Sequence, residues 1–161
     1  MTDDEIVEAC RRIARDRQAP PPAPYGAVVR AERVIEFVFP TLLRRLYTEV
    51  SNGGFGPPDG VLPVDVGQWH EHLAESYEHG PDPTGGVPAG VVPLYDWGCT
   101  RWSMIDFRDP DGAMWACAEG VCRPQDIGLS QWLVAGMNGE LSFVWPDDEP
   151  MEREDSGPTC R

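Results

Sequence analysis

Four sets of residues have the side chains that chemistry needs, and their spacing decides what each can do. His70-Glu71-His72, with Glu75 and His79, brings imidazoles and carboxylates of the kind that hold transition metals. On a helix, residues two apart point to different sides, so His70 and His72 do not converge. His72, Glu75 and His79 share a face, but no fourth ligand lies opposite it, and a solvated helix face accounts for them. Asp106, Asp109 and Asp111 with Gly112 are a fragment of a calcium-loop pattern without its closing Glu. A hairpin turn explains Asp-Pro-Asp-Gly with nothing left over. Gly53-Gly54-Phe55-Gly56 has no following Lys and no preceding strand, and it sits at the carbonyl end of a helix, the wrong end for phosphate. The nucleophile candidates are five cysteines alongside three histidines, with no G-x-S-x-G. Cys99, after Trp97-Gly98, lacks a located His partner and reads as a half-buried small residue. Asp96 with Asp106 as a carboxylate dyad is equally unsupported. No catalytic, cofactor-binding or metal-binding residue is therefore assigned, and no cofactor is expected.

The aromatic residues and the charge say more. Six tryptophans sit at 69, 97, 102, 115, 132 and 145, with Tyr95 and Phe107 nearby. Alternation along 100–107 puts Trp102, Met104 and Asp106 on one face of a strand and Ser103, Ile105 and Phe107 on the other. Helices need only one face of a small sheet, so part of this aromatic surface can stay open, with Asp96, Asp106, Asp109 and Asp111 around it. An aromatic centre with a charged rim is the composition of a binding hot spot. The net charge is −14, and all thirteen basic residues are arginine. Residues 64–150 hold fifteen acids against three arginines, a balance of −12, whereas residues 1–63 carry nine acids against eight arginines. That field repels nucleic acid and anionic lipid and attracts basic proteins. Simple solubility is the plain alternative.

The elements that must position these groups are organised around residues 39–64. Leu42, Leu43, Leu46, Tyr47 and Val50 recur at helical spacing, and Ser51-Asn52-Gly53-Gly54 stops the helix. Gly56-Pro57-Pro58-Asp59-Gly60 forbids more helix and leads into an extended run, 61–64. Upstream, Thr2 and Glu5 form a capping box for a helix ending near Arg17, with Ile6, Cys10, Ile13 and Ala14 as its apolar stripe. Residues 18–24 (Q-A-P-P-P-A-P) read as a stiff extended connector from an N-terminal arm. A second helix follows over 27–37, with Val28, Ala31 and Ile35 inward. Residues 65–77 read as a helix carrying Trp69, Leu73 and Tyr77, and 80–90 as a loop. Strands follow at 91–95, 100–107 and 113–118, then a closing helix at 129–137. Residues 141–145 add a last strand or pack irregularly. From Pro146 the acidic tail reads as disordered. The fold class is α+β: a curved, mainly antiparallel sheet flanked by helices, with an N-terminal helical arm. The divisions are 1–17 arm, 18–26 linker, 27–145 domain and 146–161 tail.

A chain of 161 residues with 41% hydrophobic content fits one domain with a real core. No apolar run approaches the ~18 residues of a membrane span. The amphipathic, acidic N-terminus does not read as a signal peptide. An odd cysteine count without a C-x-x-C pair reads as reduced thiols in a cytoplasmic protein.

The run L-L-R-R-L-Y-T-E-V-S-N-G-G-F-G-P resembles the signature of the SMI1/KNR4 family, within the SUKH superfamily. Residues 91–99 (V-V-P-L-Y-D-W-G-C) and 129–133 (L-S-Q-W-L) extend the resemblance, which covers roughly 27–139. It implies a binding protein rather than an enzyme. Bacterial members of that superfamily are immunity proteins that neutralise secreted toxins, often nucleases. The expected partner is thus a basic protein, a cognate toxin, with neither nucleic acid nor membrane as target. Asp96, Trp97, Trp102, Asp109 and Asp111 are the expected partner contacts. No motif of the family assigns contacts at these positions. The alternatives are an intracellular scaffold or regulatory module, as in eukaryotic relatives, and a small cysteine- or metal-dependent hydrolase.

Overall fold

The structure is a computed structural model that describes residues 1–65, 72–79 and 87–143, without the side chains of Glu78 and His79. Thr2 caps helix α1 (Asp3–Asp16) through the reciprocal bonds its sequence announces. Its Oγ1 accepts from the Glu5 amide at 3.3 Å, and its own amide donates to Glu5 Oε2 at 2.7 Å. Ile6, Cys10 and Ala14 are buried as expected, together with Val7 and Ala9, while Ile13 is half-buried. Helix α1 therefore packs into the same core as the rest of the chain. The Pro-rich stretch that follows is an extended strap tied down at several points. The Ser51 hydroxyl donates to Pro20 O at 2.6 Å, the Asn52 amide to Pro21 O at 2.9 Å, and the Ala23 amide to Tyr47 O at 2.8 Å. Pro20 and Pro21 have no amide to donate, so their carbonyls serve as the anchors.

Helix α2 (Tyr25–Ile35) buries Ala27, Val28, Ala31 and Ile35. Helix α3 (Thr41–Arg45) runs on into a π-helical turn over Leu46–Val50, closed by the Ser51 amide on Leu46 O at 3.2 Å. This places Tyr47 at the centre of the core, its hydroxyl donating to Leu62 O at 2.6 Å and its ring packed edge-on against Phe39 and Phe55. The corner after it can only be glycine. A Cβ on Gly53 would lie 2.8 Å from Pro63 Cα, and one on Gly60 would lie 2.4 Å from Gly54 Cα, both at positive φ. Asn52 completes the corner by accepting from the amides of Val64 and Asp65.

Helix α4 spans Leu73–His79, shorter than the expected 65–77. Trp69 and the rest of 66–71 lie outside the described residues, as do 80–86 and the tail from 144. Four strands form an antiparallel meander in the order β1-β2-β3-β4: β1 (Val91–Gly98), β2 (Arg101–Asp106), β3 (Ala113–Ala118) and β4 (Val121–Gly128). β4 is the element that sequence reasoning missed, because C-R-P-Q-D-I alternates poorly and carries Pro124, which suits only an edge strand. Helix α5 (Leu129–Met137) closes the fold at the expected residues. The Leu62 amide donates to Leu94 O at 2.9 Å and so pairs the outer edge of β1. Val92, Leu94, Ile105, Phe107 and Met114 join the helices in the main core, with Trp132 and Leu133 of α5 fully buried there. No described helix is long and apolar enough to cross a membrane.

The cysteines do not follow the sequence expectation. Cys117 and Cys122 form a disulfide, Cys99 is also disulfide-bonded, and only Cys10 is a free buried thiol among the described residues. The reason is register. Cys117 and Cys122 sit directly opposite each other on β3 and β4, joined by the tight Glu119-Gly120 turn.

Candidate functional site

The alternation predicted for residues 100–107 holds. Ser103, Ile105 and Phe107 face the helices, while Trp102, Met104 and Asp106 face away. On that far side a second, smaller apolar cluster assembles from Val87, Val91, Met104, Cys117 and Cys122, covered by half-buried Trp102 and Trp115. Cross-strand register explains the grouping. Trp102 stands opposite Cys117 and Asp96, and Trp115 opposite Met104 and Pro124. No described helix packs on this face.

Its polar boundary is set by carboxylates. Asp106 is buried and bonded to Arg108, with distances of 2.8 Å to Nε and 2.6 Å to Nη2. Burial alone would raise this carboxyl, but the Arg108 side-chain and backbone hydrogen bonds, helped by the Trp115 indole, hold it below its ordinary value. Asp96, Asp109, Asp111, Glu119, Asp126 and Glu140 make no ion pair among the described residues. Asp96 accepts the Gly98 amide at 2.7 Å, and Asp109 accepts the Asp111 amide at 2.9 Å, so both are turn anchors, Asp96 exposed and Asp109 half-buried.

The five expected contacts fall in three places. Asp96 and Trp102 are neighbours on the helix-free face, near the end where the β1–β2 and β3–β4 hairpins turn. Glu119 stands at the tip of the β3–β4 hairpin. Asp109 and Asp111 lie on the β2–β3 turn at the opposite end of the sheet. There they line a cleft of about 560 Å³ with Asp3 and Asp126, beside the first turn of α5. Trp97 is on the other side of the sheet. Its indole donates to Ser103 Oγ at 2.9 Å, and its ring packs on Tyr95 and Phe143. Proximity in sequence suggested one patch of Asp96, Trp97 and Trp102. Strand alternation places Trp97 opposite to Asp96. Trp115, Glu119 and Asp126 are what sequence reasoning left out. Trp115 was legible as a strand tryptophan, but its place diagonal to Trp102, opposite Met104, needed the β2–β3 register.

Of the histidine cluster, His72 serves as a cap. Its Nδ1 accepts the Glu75 amide at 3.3 Å, and its Nε2 lies 3.7 Å from Glu75 Oε2. His70 and Glu71 lie outside the described residues. Among the described residues, no three His, Cys, Asp or Glu side chains converge as metal ligands do. Asp96 and Asp106 do not form a dyad, since Asp106 is committed to Arg108 at the far end of β2. Cys99 occupies the β1–β2 turn with Thr100, both at positive φ, and is held in a disulfide rather than presented as a thiol.

The class these features define is an open α+β fold in which one face of a four-stranded meander meets the helices and the other carries Trp102 and Trp115, with carboxylates that make no ion pair among the described residues at both ends of the sheet. No protein-family model, curated protein or solved structure matches the chain.

Proposed function

We propose that this protein is a non-catalytic binding module that docks a basic protein on its sheet half, acting as an immunity protein towards a cognate toxin. The observation that carries this reading is the helix-free face. Trp102 and Trp115 lie over a small apolar cluster there, while Asp96 and Glu119 at one end of the sheet and Asp109, Asp111 and Asp126 at the other make no ion pair among the described residues. Carboxylates without partners keep their long-range field, which steers an oppositely charged protein and raises its association rate. Aromatic rings supply the apolar contact that slows dissociation. Asp96, Trp102 and Trp115 form the centre of the contact, with Asp109, Asp111 and Asp126 at the far end. The toxin-neutralising role rests on the likeness of residues 42–57 to the SMI1/KNR4 signature.

The test is co-expression with a secreted toxin encoded beside the gene, comparing the native chain with an Asp96→Lys/Glu119→Lys/Asp126→Lys variant. Protection by the native chain, its loss in the folded variant, and weaker complex formation as salt rises are the expected results. Equal protection by both chains, or a complex indifferent to salt, would remove the basis for this reading.

A further inference from the structure

Trp97, displaced from the sheet face, has a site of its own. Together with Tyr95, Pro58, Asp59, Gly136 and Leu141 it lines a notch of about 290 Å³ between the glycine corner, β1 and the end of α5. The Tyr95 and Trp97 rings meet at 81° with centroids 5.0 Å apart, so the notch has an aromatic corner. The Trp97 ring is held in place by its bond to Ser103 Oγ, and the Tyr95 hydroxyl donates to Asp59 Oδ2 at 3.4 Å. Asp59 is exposed, has no ion pair among the described residues, and is the only ionisable group besides Tyr95 on the lining.

We infer that this notch accepts the guanidinium side chain of an arginine on a partner protein. A volume at the lower limit of small-molecule pockets suits one long side chain better than a metabolite. Aromatic faces attract a weakly hydrated, planar cation, and a carboxylate at the rim offers it two acceptors. The chain already makes the same contact within itself, with the Arg101 guanidinium carbon 6.0 Å above the Phe143 ring, which in turn packs against Trp97. One cation lies nearby: Arg17 donates to Pro57 O at 2.7 Å behind the corner. It offsets part of the Asp59 field, with that donor committed to the Pro57 carbonyl. The assignment rests on the reading above for the existence of a basic partner, but not for the site itself.

Titration with N-acetyl-arginine methylamide, followed through the tryptophan indole N–H resonances, tests the site without any partner. The Trp97 resonance, identified by its absence in Trp97→Phe, should shift to saturation. The neutral citrulline analogue should bind at least about tenfold more weakly, as loss of a charge-assisted contact requires. Asp59→Asn should weaken the arginine derivative by a similar factor with the fold intact, and Glu36→Gln, at an exposed position that does not line the notch, should leave it unchanged. A citrulline response equal to that of arginine, unaltered affinity in Asp59→Asn, or no saturable shift at Trp97 would overturn the inference. None of those results would touch the co-expression test, because the variants used there leave Asp59 and Trp97 in place.

Discussion

In the helical half, Arg11 reaches Glu8 at 2.6 Å, Arg45 reaches both Asp4 and Glu49 at 2.9 Å, Arg44 closes on Glu32, and Arg30 holds Asp65 at 3.3 Å. In the sheet, Arg108 with Asp106 is the corresponding pair, beside Asp96, Asp109, Asp111, Glu119 and Asp126, which make none among the described residues. The two halves share one core but handle charge in opposite ways. Four of the nine acids in residues 1–63, Asp4, Glu8, Glu32 and Glu49, are paired with arginines of the same half, and surface pairs of this kind add only ~0–1 kcal/mol each. Asp106 apart, the acids of the sheet and its turns have no ion pair among the described residues, which costs a little stability through mutual repulsion and keeps a negative field directed outward. Stability and recognition are thus divided between two regions of one small domain.

That division can be tested from its strongest consequence downwards. Trp132→Ala, in the shared core where the residue is 1% exposed, should cost about 3–5 kcal/mol by urea unfolding. Trp102→Ala on the helix-free face should cost clearly less, and equal losses would abolish the distinction between core and contact surface. Removing the Cys117–Cys122 bridge as Cys117→Ala/Cys122→Ala should lower stability by about 2 kcal/mol. It closes a loop with a sequence separation of only 5, so it restrains the unfolded chain little. Urea unfolding of that variant beside the native chain, both without reductant so that the Cys99 disulfide stays closed, measures this.

Asp106→Asn should cost on the order of 1 kcal/mol near neutral pH, since a charge-assisted bond to Arg108 is lost. The sign with pH follows from the lowered carboxyl. Its stabilising contribution is complete above the ordinary carboxyl value of 3.8 and fades as pH falls through the lower folded value. The native chain should therefore lose stability over that acid range more steeply than Asp106→Asn, and parallel pH profiles would contradict the pairing. The smallest stability effect belongs to Asp96→Asn combined with Asp126→Asn. We expect a change within about 0.5 kcal/mol by urea unfolding, together with slower association with a basic partner at low salt and convergence with the native rate as salt rises.

Much of this fold is readable along the chain because local signals agree with the final packing. Thr2 with Glu5 announces α1. The spacing of Leu42, Leu43, Leu46 and Tyr47 announces the central helix, and Asn52-Gly53-Gly54 its end. Strict alternation in β2 assigns Trp102 and Met104 to one face and Ile105 and Phe107 to the other. The candidate site was only partly legible. Asp96 and Trp102 are neighbours as expected, but Trp97 is across the sheet and Asp109 and Asp111 are at its other end. β4 was missed because Pro124 and the polar run around it suppress the pattern of a strand.

What residues 1–143 decide locally is therefore the type of each element, where it stops, and which of its own side chains share a face. Period and turn chemistry act over a few neighbours, and no distant contact is needed to read them. Which faces meet is decided only when the chain closes. The opposition of Cys117 to Cys122, the joining of Trp102 to Trp115, and the notch between Trp97 and Asp59 all depend on register across strands and on which side of the sheet the helices cover. Those relations run between elements rather than along one, and the burial that enforces them exists only in the folded molecule.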